Sequence, residues 1–297
     1  MTILNVNEND ENQTIFNFIK KNYKTTNLSV IYKWFRTNKV KINEKKIKDQ
    51  KVVLKKGDVV KIYDSANISK RLVVELVDYS NLEIIYEDQN IIIVDKPAGL
   101  EIHSPINISL DQIVRSYLID TKQYDVDLEN SFVISHVHRL DKLTKGLVIY
   151  AKNKASLNTL LTAIKNKDMI KKFYKAKLES NKINLGLIQG YINYDSEIQK
   201  ANFILNNKRN YKKCSQIHKW IDKENNILEV NLLSGRKHQI RAVCEFFNAS
   251  IENDFRYGAQ RTSKKEISLI AYKLVFDNFS NFLSYLNGKE FYSKIDF

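Results

Sequence analysis

A single carboxylate, Asp141, lies in a segment that is otherwise rich in cations and small residues. Residues 138–147 read His-Arg-Leu-Asp-Lys-Leu-Thr-Lys-Gly-Leu, and the apolar residues 147–150 that follow are predicted to form a strand. A carboxylate can act as a nucleophile or as a general base without a metal or a redox cofactor. An aspartate before a turn also often bonds only to its own backbone, which is the structural alternative. Because the net charge of the chain is +14, we expect Asp141 to act on an anionic substrate.

Two further segments contain rare residue types of this chain. Residues 86–100 read Tyr-Glu-Asp-Gln-Asn-Ile-Ile-Ile-Val-Asp-Lys-Pro-Ala-Gly-Leu, and residues 233–241 read Leu-Ser-Gly-Arg-Lys-His-Gln-Ile-Arg. The chain has only 2 prolines and 8 glycines. Both prolines lie in or just after the turn at residues 96–99, and Gly146 and Gly235 lie in the other two segments. Because proline restricts the backbone angles and glycine widens them, these loops are predicted to have specified geometries.

In their order along the chain, residues 86–100, 138–147 and 233–241 resemble the signature segments of pseudouridine synthases of the RluA/RluC/RluD type. In the middle segment of that family, Arg-Leu-Asp is followed by Thr, Gly and Leu. With the N-terminal region, which looks most similar to RluC, the resemblance covers nearly the whole chain. It implies an isomerase that converts specific uridines of large-subunit (23S) ribosomal RNA to pseudouridine. It also implies RNA as the partner, no cofactor, and a monomer. An RluD-like or other RNA specificity is the alternative within the family.

The resemblance assigns the chemistry to three residues. Asp141 is implied to be the group that engages C1′ of the ribose or takes a proton nearby. RNA phosphates raise the pKa of a nearby carboxylate, so an ionised Asp141 needs a cation, and the resemblance supplies Arg241 as its ion-pair partner. Tyr174, in a Lys-x-Tyr-x-Ala pattern at residues 172–176, is implied to lie against the base and to take part in proton transfer. The structural alternatives are a phosphate or surface contact for Arg241 and a core position for Tyr174.

Substrate-binding residues follow from the need to expose the target. Uridine inside a stacked helix cannot reach a catalytic group, so it must be flipped out. By the same resemblance, Arg139 fills the gap left in the RNA stack, and Leu140 faces the apolar side of the pocket or packs in the core. Ile240 is implied to lie on the side of the base opposite to Tyr174. Arg236 and His238 are implied to orient the RNA or the loop.

Three positions depart from the family pattern. Lys145 stands where a small residue usually occurs. We expect its side chain either to narrow access to the site or to contact a phosphate. Asn248 and Asn253 stand where the family usually has glycine, although Asp254 and Tyr257 still match. Asparagine is the residue that best replaces glycine at positive φ, so both turns are predicted to be kept.

The positive charge of the chain is concentrated near its N-terminus. The whole chain has 48 Lys and Arg against 34 Asp and Glu, which favours a polyanionic partner. A coding bias toward Lys, Asn and Ile would also raise the count, but it would raise it evenly. Residues 14–61 contain 14 Lys and Arg against 3 acidic residues, so +11 of the +14 lies in under a fifth of the chain.

The N-terminal region is predicted to be a small α/β domain over residues 14–65. We expect a helix from residue 15, a second helix capped by Ser29, and short strands at residues 40–43 and 59–63. This arrangement is similar to the ribosomal protein S-four-like RNA-binding domain, in which the basic face of the second helix and the following loop grips structured RNA. A merely solvated basic face is the alternative. The candidate RNA contacts are Lys33, Arg36, Lys39, Lys41, Lys45 and Lys46.

The remainder, residues 70–297, is predicted to be the catalytic domain. Strands are expected at residues 84–86, 91–94, 147–150 and 227–232, and helices at residues 155–165 and 238–247. A further apolar run at residues 72–77 is a candidate early strand, so the boundary is placed near residue 70. The pattern predicts an α+β fold with a mixed, mostly antiparallel central sheet and flanking helices, which is the pseudouridine synthase fold.

Other functional classes find little support in the sequence. Cys214 and Cys244 are far apart without ligand spacing, and His103, His136 and His138 lie on different predicted elements, so neither a disulfide nor a metal site is expected. The N-terminal residues lack the pattern of a secretion signal, and no apolar run reaches a membrane-spanning length. We therefore expect a cytoplasmic protein that does not bind membranes.

Two rival functions belong to other classes. A non-catalytic RNA-binding or ribosome-assembly factor would keep the fold without turnover, but Asp141, Arg241 and Tyr174 are all present. A glycosidase that uses Asp141 would need a second carboxylate close to it. The segment at residues 138–147 supplies none.

Overall fold

The computed structural model describes residues 1–63, 75–262 and 266–297. They form two compact units. The first comprises Met1–Tyr79, Ile113–Ile134 and Asn153–Ala155, and the second comprises Ser80–Gln112, Ser135–Lys152 and Ser156–Phe297. Within the described ranges, no helix combines the length and the apolar character needed to cross a membrane.

The N-terminal part of the first unit is a four-stranded antiparallel sheet packed against two helices. The strands follow the order β1-β4-β2-β3. Buried apolar side chains from both helices and from the sheet form a separate core, which includes Phe18, Ile31 and Trp34. The elements are β1 (Thr2–Asn5), α1 (Ile15–Asn22), α2 (Leu28–Arg36), β2 (Val40–Ile42), β3 (Lys45–Lys46) and β4 (Val59–Ile62).

The predicted elements of this region are found, with one error in capping. Helix α1 begins after Thr14, whose side chain accepts a hydrogen bond from the backbone N–H of Asn17 at 3.3 Å. The prediction that Ser29 caps the second helix is wrong, because the N-cap residue of α2 is Asn27, two residues earlier. Ser29 lies inside the helix. Asparagine and serine both occur at N-caps, so the residue types alone did not separate them.

The first unit extends beyond residues 14–65. Strand β1 pairs with β4, and the fully buried Asp10 accepts hydrogen bonds from the side chains of Asn130 at 2.7 Å and Ser131 at 2.6 Å. These contacts join a distant stretch of chain to the N-terminal sheet. The division into domains 14–65 and 70–297 stays a prediction. The boundary near residue 70 and most of the apolar run at 72–77 lie outside the described residues, and residues 75–77 are not in a strand.

The second unit is built on an eleven-stranded sheet. Its main path runs β11-β10-β12-β13-β9-β14-β8-β6-β5, with β15 beside β14 and β7 beside β8. The strands are β5 (Glu83–Glu87), β6 (Ile91–Lys96), β7 (Ser135–His136), β8 (Lys145–Ala151), β9 (Ile170–Lys177), β10 (Gly186–Asp195), β11 (Lys200–Ile204), β12 (Lys212–Asp222), β13 (Ile227–Leu232), β14 (Leu269–Phe276) and β15 (Lys289–Tyr292). The other α-helices in the described residues are α3 (Leu110–Asp120), α4 (Lys154–Ala163) and α5 (Gln239–Phe246).

The pattern of apolar residues explains which strands lie in the centre. All residues of β6 and β8 are buried, as expected for continuous apolar runs covered on both faces. In β9, buried and half-buried residues alternate, so one face points inward. The predicted strands and the helices at residues 155–165 and 238–247 are confirmed, and so is the α+β class with a mostly antiparallel sheet.

The one parallel contact among the described strands joins β14 to β8 near Gly146. The φ of Gly146 is +111°, and a Cβ at this position would lie 2.3 Å from the carbonyl oxygen of Ala271. No side chain fits between the two backbones, which explains the glycine of the 138–147 segment. This close approach fixes the start of β8, directly after the turn that contains Asp141.

Candidate active site

A cleft of about 1380 Å³ opens in the second unit, and residues from all three conspicuous sequence segments or their neighbours surround it. Asp141 lines the cleft from the turn before β8. Tyr174 lines it from β9, and Arg241 lines it from the first turn of α5. The structure therefore brings together the three residues predicted to carry the chemistry. Their roles stay predictions.

The turn that contains Asp141 is held by a buried ammonium. Lys96, at the end of β6, is fully buried, and its Nζ donates to the carbonyl oxygens of Pro97 and Leu100, both at 2.9 Å, and of Lys142 at 3.1 Å. Burial lowers the pKa of Lys96 to about 8, although the charge of Asp141 opposes this shift. The Lys-Pro-Ala-Gly turn and the Asp141 turn are thus joined through one side chain, which the sequence analysis missed.

Arg241 faces two carboxylates at different distances. Its Nε and Nη2 donate to the carboxylate oxygens of Asp254 at 2.6 and 2.7 Å, while its Nη1 lies 3.7 Å from Oδ2 of Asp141. The guanidinium carbon also lies 4.7 Å from the ring centre of Tyr257. The paired hydrogen bonds to Asp254 fix the guanidinium plane, and Nη1 is left to face Asp141. Arg241 is the predicted ion-pair partner of Asp141, but Asp254 is its closer one.

Burial dominates the electrostatics of Asp141. Its side chain is only 24% exposed, and burial raises the pKa of the carboxyl above its ordinary value. The positive charges of Arg241, Lys237 and Lys96 lower this pKa, and the charge of Asp254 raises it. Removal from water therefore outweighs the cations, so the charged carboxylate is held in a state of raised free energy. Such a carboxylate is a stronger nucleophile or base than one in water.

His238 lies beside Asp141 as a neutral imidazole. Burial, followed by the charges of Arg241 and Lys237, lowers the pKa of His238 to about 3. Its Nδ1 lies 2.8 Å from the hydroxyl of Tyr257, whose oxygen also accepts the backbone N–H of Ala201 at 2.6 Å. Its Nε2 lies 3.7 Å from Asp141 Oδ2, which is a polar contact and not an ion pair because the ring is uncharged. Of the two side chains that lie 3.7 Å from Asp141 Oδ2, only Arg241 is therefore charged.

An apolar and aromatic wall completes the cleft. Tyr174, Leu140 and Ile240 line it and are only 5%, 8% and 5% exposed. Burial and the charge of Asp141 both raise the pKa of Tyr174, so its hydroxyl stays protonated. The preceding residue, Phe173, points to the opposite face of β9 and does not line the cleft.

The cleft, including its rim, is strongly basic. Ten Lys and Arg residues line the cleft, together with three carboxylates, which are Glu101, Asp141 and Asp254. Arg139 and Arg236 are exposed on this rim, and Arg236 Nε donates to the carbonyl of Lys213 at 3.1 Å. The basic lining residues are Arg139, Lys142, Lys165, Lys167, Lys172, Arg236, Lys237, Arg241, Arg256 and Arg261. A polyanion fits this rim.

Lys145 does not lie where either sequence interpretation placed it. It is buried at the start of β8, with its Nζ 3.2 Å from the carbonyl oxygen of Asp296 and 3.5 Å from a carboxylate oxygen of Glu266. It is not among the residues that line the cleft. Both alternatives, narrowed access and a phosphate contact, are therefore wrong, because alternation along the strand turns this side chain away from the cleft.

The asparagines that replace glycine keep the predicted backbone. Asn248 and Asn253 have φ angles of 56° and 66°, which confirms the prediction of left-handed turns. Asn253 directly precedes Asp254 and so fixes the approach of that carboxylate to Arg241. The buried Gln239 supports the same region, since its Oε1 lies 2.7 Å from the hydroxyl of Ser234. The sequence analysis gave no role to Gln239.

Two of the three histidines that the sequence separates, His103 and His136, contact one carboxylate. His136 Nδ1 lies 2.9 Å from Asp111 Oδ1, and His103 Nδ1 lies 3.2 Å from Asp111 Oδ2. The hydroxyl of Tyr150 donates to Asp111 at 2.9 Å. Within the described ranges, no three His, Cys, Asp or Glu side chains are arranged to hold a metal.

The basic residues in the N-terminal part of the first unit, residues 1–63, differ in exposure. This part is called the N-terminal unit below. Lys33, Arg36 and Lys39 are exposed at the end of α2 and just after it. Lys41 is half-buried, with its Nζ 3.8 Å from Glu44 and 4.8 Å from the ring centre of Tyr63. The first three cations thus face solvent, while Lys41 is partly neutralised.

The sequence profile of the RNA pseudouridylate synthase family matches residues 90–246. An RNA pseudouridine synthase of Mycoplasma capricolum is 52% identical over 97% of this chain and 96% of the relative. The ribosomal large subunit pseudouridine synthase C of Buchnera aphidicola is 29% identical over 87% of this chain and 81% of its own. Among solved structures, human RNA pseudouridylate synthase domain containing 4 has a TM-score of 0.52 at 17% identity, covering 72% of this chain and 88% of that one.

The α+β fold of the chain is the pseudouridine synthase fold. The chain belongs to the RNA pseudouridylate synthase family. It is an isomerase that converts uridine in RNA to pseudouridine.

Proposed function

We propose that this enzyme modifies uridines of large-subunit ribosomal RNA and uses Asp141, without a cofactor, as the group that acts at the ribose. The observation that carries the proposal is the geometry of Asp141, which lies in the basic cleft 3.7 Å from the guanidinium of Arg241. The name of the Buchnera relative supports a ribosomal target. We extend the proposal to a cytoplasmic enzyme that acts as a monomer.

The reaction requires a group that engages the ribose and then leaves it. The bond between N1 of uracil and C1′ breaks, a bond between C5 and C1′ forms, and the proton on C5 is lost while N1 gains one. Asp141 either adds to C1′ and is displaced by C5, or takes a proton nearby. Both routes need the ionised carboxylate, so Arg241 has the same task in each, which is to oppose the effect of burial on Asp141.

The wall of the cleft suits a flipped pyrimidine. Tyr174, Leu140 and Ile240 supply flat and apolar surface for the base, and the protonated phenol of Tyr174 adds no second negative charge beside Asp141. Arg139 is exposed on the rim, where its planar guanidinium can replace the flipped base in the stack. We propose that Arg236 and His238 position the RNA and the loop.

We further propose that the N-terminal unit is an S-four-like RNA-binding domain that directs the enzyme to an RluC-like target. The exposed Lys33, Arg36 and Lys39 support this assignment, and Lys41 contributes less because Glu44 lies close to it. Exposed cations of this kind hold the RNA backbone and not particular bases.

Pseudouridine mapping on ribosomal RNA tests the proposal. Carbodiimide-treated RNA from cells with and without the gene is read by primer extension, with complementation by the wild type and by Asp141→Asn. We expect stops in large-subunit RNA that vanish on deletion and return only with the wild type. Stops that return with Asp141→Asn contradict the role of Asp141, and an unchanged map contradicts the ribosomal target.

A further inference from the structure

Lys172 is a buried cation on the wall of the cleft. It lies on β9 two residues before Tyr174, so the two side chains are on the same face of the strand, about 7 Å apart. Its residue is only 7% exposed, yet it lines the cleft. Lysine is seldom buried to this extent unless its charge is paired.

No charge of opposite sign accompanies this ammonium. In the part of the chain that the structure describes, Nζ of Lys172 has neither a carboxylate partner nor a hydrogen-bond acceptor. The neighbour that acts on it electrostatically is Lys167, which is also a cation, and burial lowers the pKa of Lys172 to about 8. His138, close enough to feel the charge of Lys172, is a neutral buried imidazole whose Nδ1 also has no partner. Nζ of Lys172 and Nδ1 of His138 are thus two donors without an acceptor among the described residues.

The loop that contains Gly235 comes close to Nζ of Lys172 without covering it. Gly235 also lines the cleft, and a Cβ built on it would lie 3.7 Å from Nζ of Lys172, with no other heavy atom within 4 Å. The 3.7 Å is an ordinary van der Waals distance, so a methyl group fits here, but a larger side chain would extend from this point over the ammonium. The glycine keeps Nζ accessible from the cleft.

We propose that Lys172 binds one backbone phosphate of the RNA beside the flipped uridine, and that Gly235 keeps the path to it open. This inference rests on the proposed function. The phosphate supplies the missing counter-charge in a site largely closed to water, where a single ion pair is stronger than at the surface. Lys172 is thus a substrate-binding residue that places the nucleotide against Tyr174.

Salt-dependent RNA binding tests the inference in the full-length enzyme. Filter binding to an in vitro transcript of 23S ribosomal RNA is measured from low to high salt for the wild type, Lys172→Met, Lys172→Arg and Gly235→Leu. Each phosphate contact contributes about 0.7–0.9 to the slope of log affinity against log salt. We expect Lys172→Met to lose about one contact from this slope and roughly five- to tenfold in affinity, and Lys172→Arg to keep the slope.

Lys171→Met is the matched control, because Lys171 precedes Lys172 on the same strand but belongs to the half-buried set that faces away from the cleft. We expect its slope to equal that of the wild type. Gly235→Leu removes no charge and should lower the slope and the affinity, because its side chain extends from a Cβ that lies 3.7 Å from Nζ of Lys172. It decides the question by itself if Lys172→Met fails to fold in a thermal melt.

Two results would overturn the inference. One is an unchanged slope in Lys172→Met or, if that variant does not fold, in Gly235→Leu. The other is a loss of affinity without a change of slope, which would mean that Lys172 contacts an uncharged part of the RNA. Release of tritium from a C5-tritiated transcript is measured in parallel. A wild type that releases none contradicts the proposed function, while the binding slopes still decide the role of Lys172.

Discussion

The cations of the N-terminal unit and those of the cleft carry the same charge in opposite surroundings. Lys33, Arg36 and Lys39 are exposed to solvent, whereas Lys96 is fully buried and Arg241 is 4% exposed. Exposed charges are screened by salt and attract RNA without regard to position. Buried charges are screened less: Lys96 holds a loop, and Arg241 lowers the pKa of Asp141. Attraction and chemistry are therefore separable by mutation.

The largest expected effect is the loss of turnover in Asp141→Asn. Removal of the reacting carboxylate should lower the rate of tritium release by about 10⁴-fold or more. RNA affinity should stay within about threefold of the wild type, because the cations that bind the backbone remain. Glu101→Gln is the control, since Glu101 also lines the cleft but lies against Lys142 at 4.0 Å. Equal losses of turnover and affinity would contradict a purely chemical role.

Asp254→Asn should cost stability. It leaves the guanidinium of Arg241 buried without its paired carboxylate, and breaking a buried ion pair costs about 3–5 kcal/mol in the free energy of unfolding. Urea titration followed by circular dichroism measures this cost. Glu252→Gln is the control in the same loop, since its ion pair with Lys177 at 3.1 Å is partly exposed and is worth at most about 1 kcal/mol. Similar costs for both variants would show that Asp254 does not hold Arg241.

The triple variant Lys33→Gln, Arg36→Gln and Lys39→Gln should change binding without changing chemistry. The slope of log affinity against log salt should fall by about 2–3, while the turnover number at saturating RNA stays the same. A matched triple variant at the exposed Lys182, Lys219 and Lys223 controls for net charge. Identical slopes for the two triple variants would remove the N-terminal unit from RNA binding.

The pH dependence should follow the raised pKa of Asp141. Activity requires the ionised carboxylate, so the turnover number should rise with pH through a pKa above the ordinary value of 3.8. The folded state binds this proton more tightly than the unfolded state, so the stabilisation present below pH 3.8 is lost as pH rises through the folded pKa. Ionised Asp141 thus destabilises the fold at pH 7. A turnover number that is flat on the acid side would contradict the raised pKa.

The same linkage predicts that Asp141→Asn is slightly more stable than the wild type at neutral pH, since its amide does not need to be ionised in the cleft. Urea titrations at pH 7 measure the difference, and Glu101→Gln is again the control. A less stable Asp141→Asn would mean that the ion pair with Arg241 outweighs the burial of the charge.

Local signals allowed much of the fold to be predicted. Apolar runs and alternation gave the central strands and the helices around residues 155–165 and 238–247, because burial on one or two faces leaves a period in the sequence. Asn248 and Asn253 were predicted to replace glycine because few other residues adopt positive φ. The error at Ser29 arose where two residue types compete for the same cap.

The pairings within the site could not be predicted, because they depend on tertiary distance. Asp254 lies 13 residues after Arg241, and only the turn between them shows that it is the closer carboxylate. Lys96 joins two segments that are 46 residues apart. A lysine is normally expected at the surface, so the burial of Lys96, Lys145 and Lys172 could not be predicted from the residue type. The direction of Lys145 required the register of β8.

The insertion of β14 between β8 and β9 determines the order in which the site can be completed. Asp141 precedes β8 and Tyr174 lies on β9, yet the hydrogen bonds that join these two strands run through Leu269–Phe276, about a hundred residues later in the chain. A nascent polypeptide cannot align the two residues until that strand has been synthesised. Such long-range pairing slows folding. The site can therefore be completed only after residues 269–276 have been synthesised, whereas the strands of the N-terminal sheet all lie within residues 2–62.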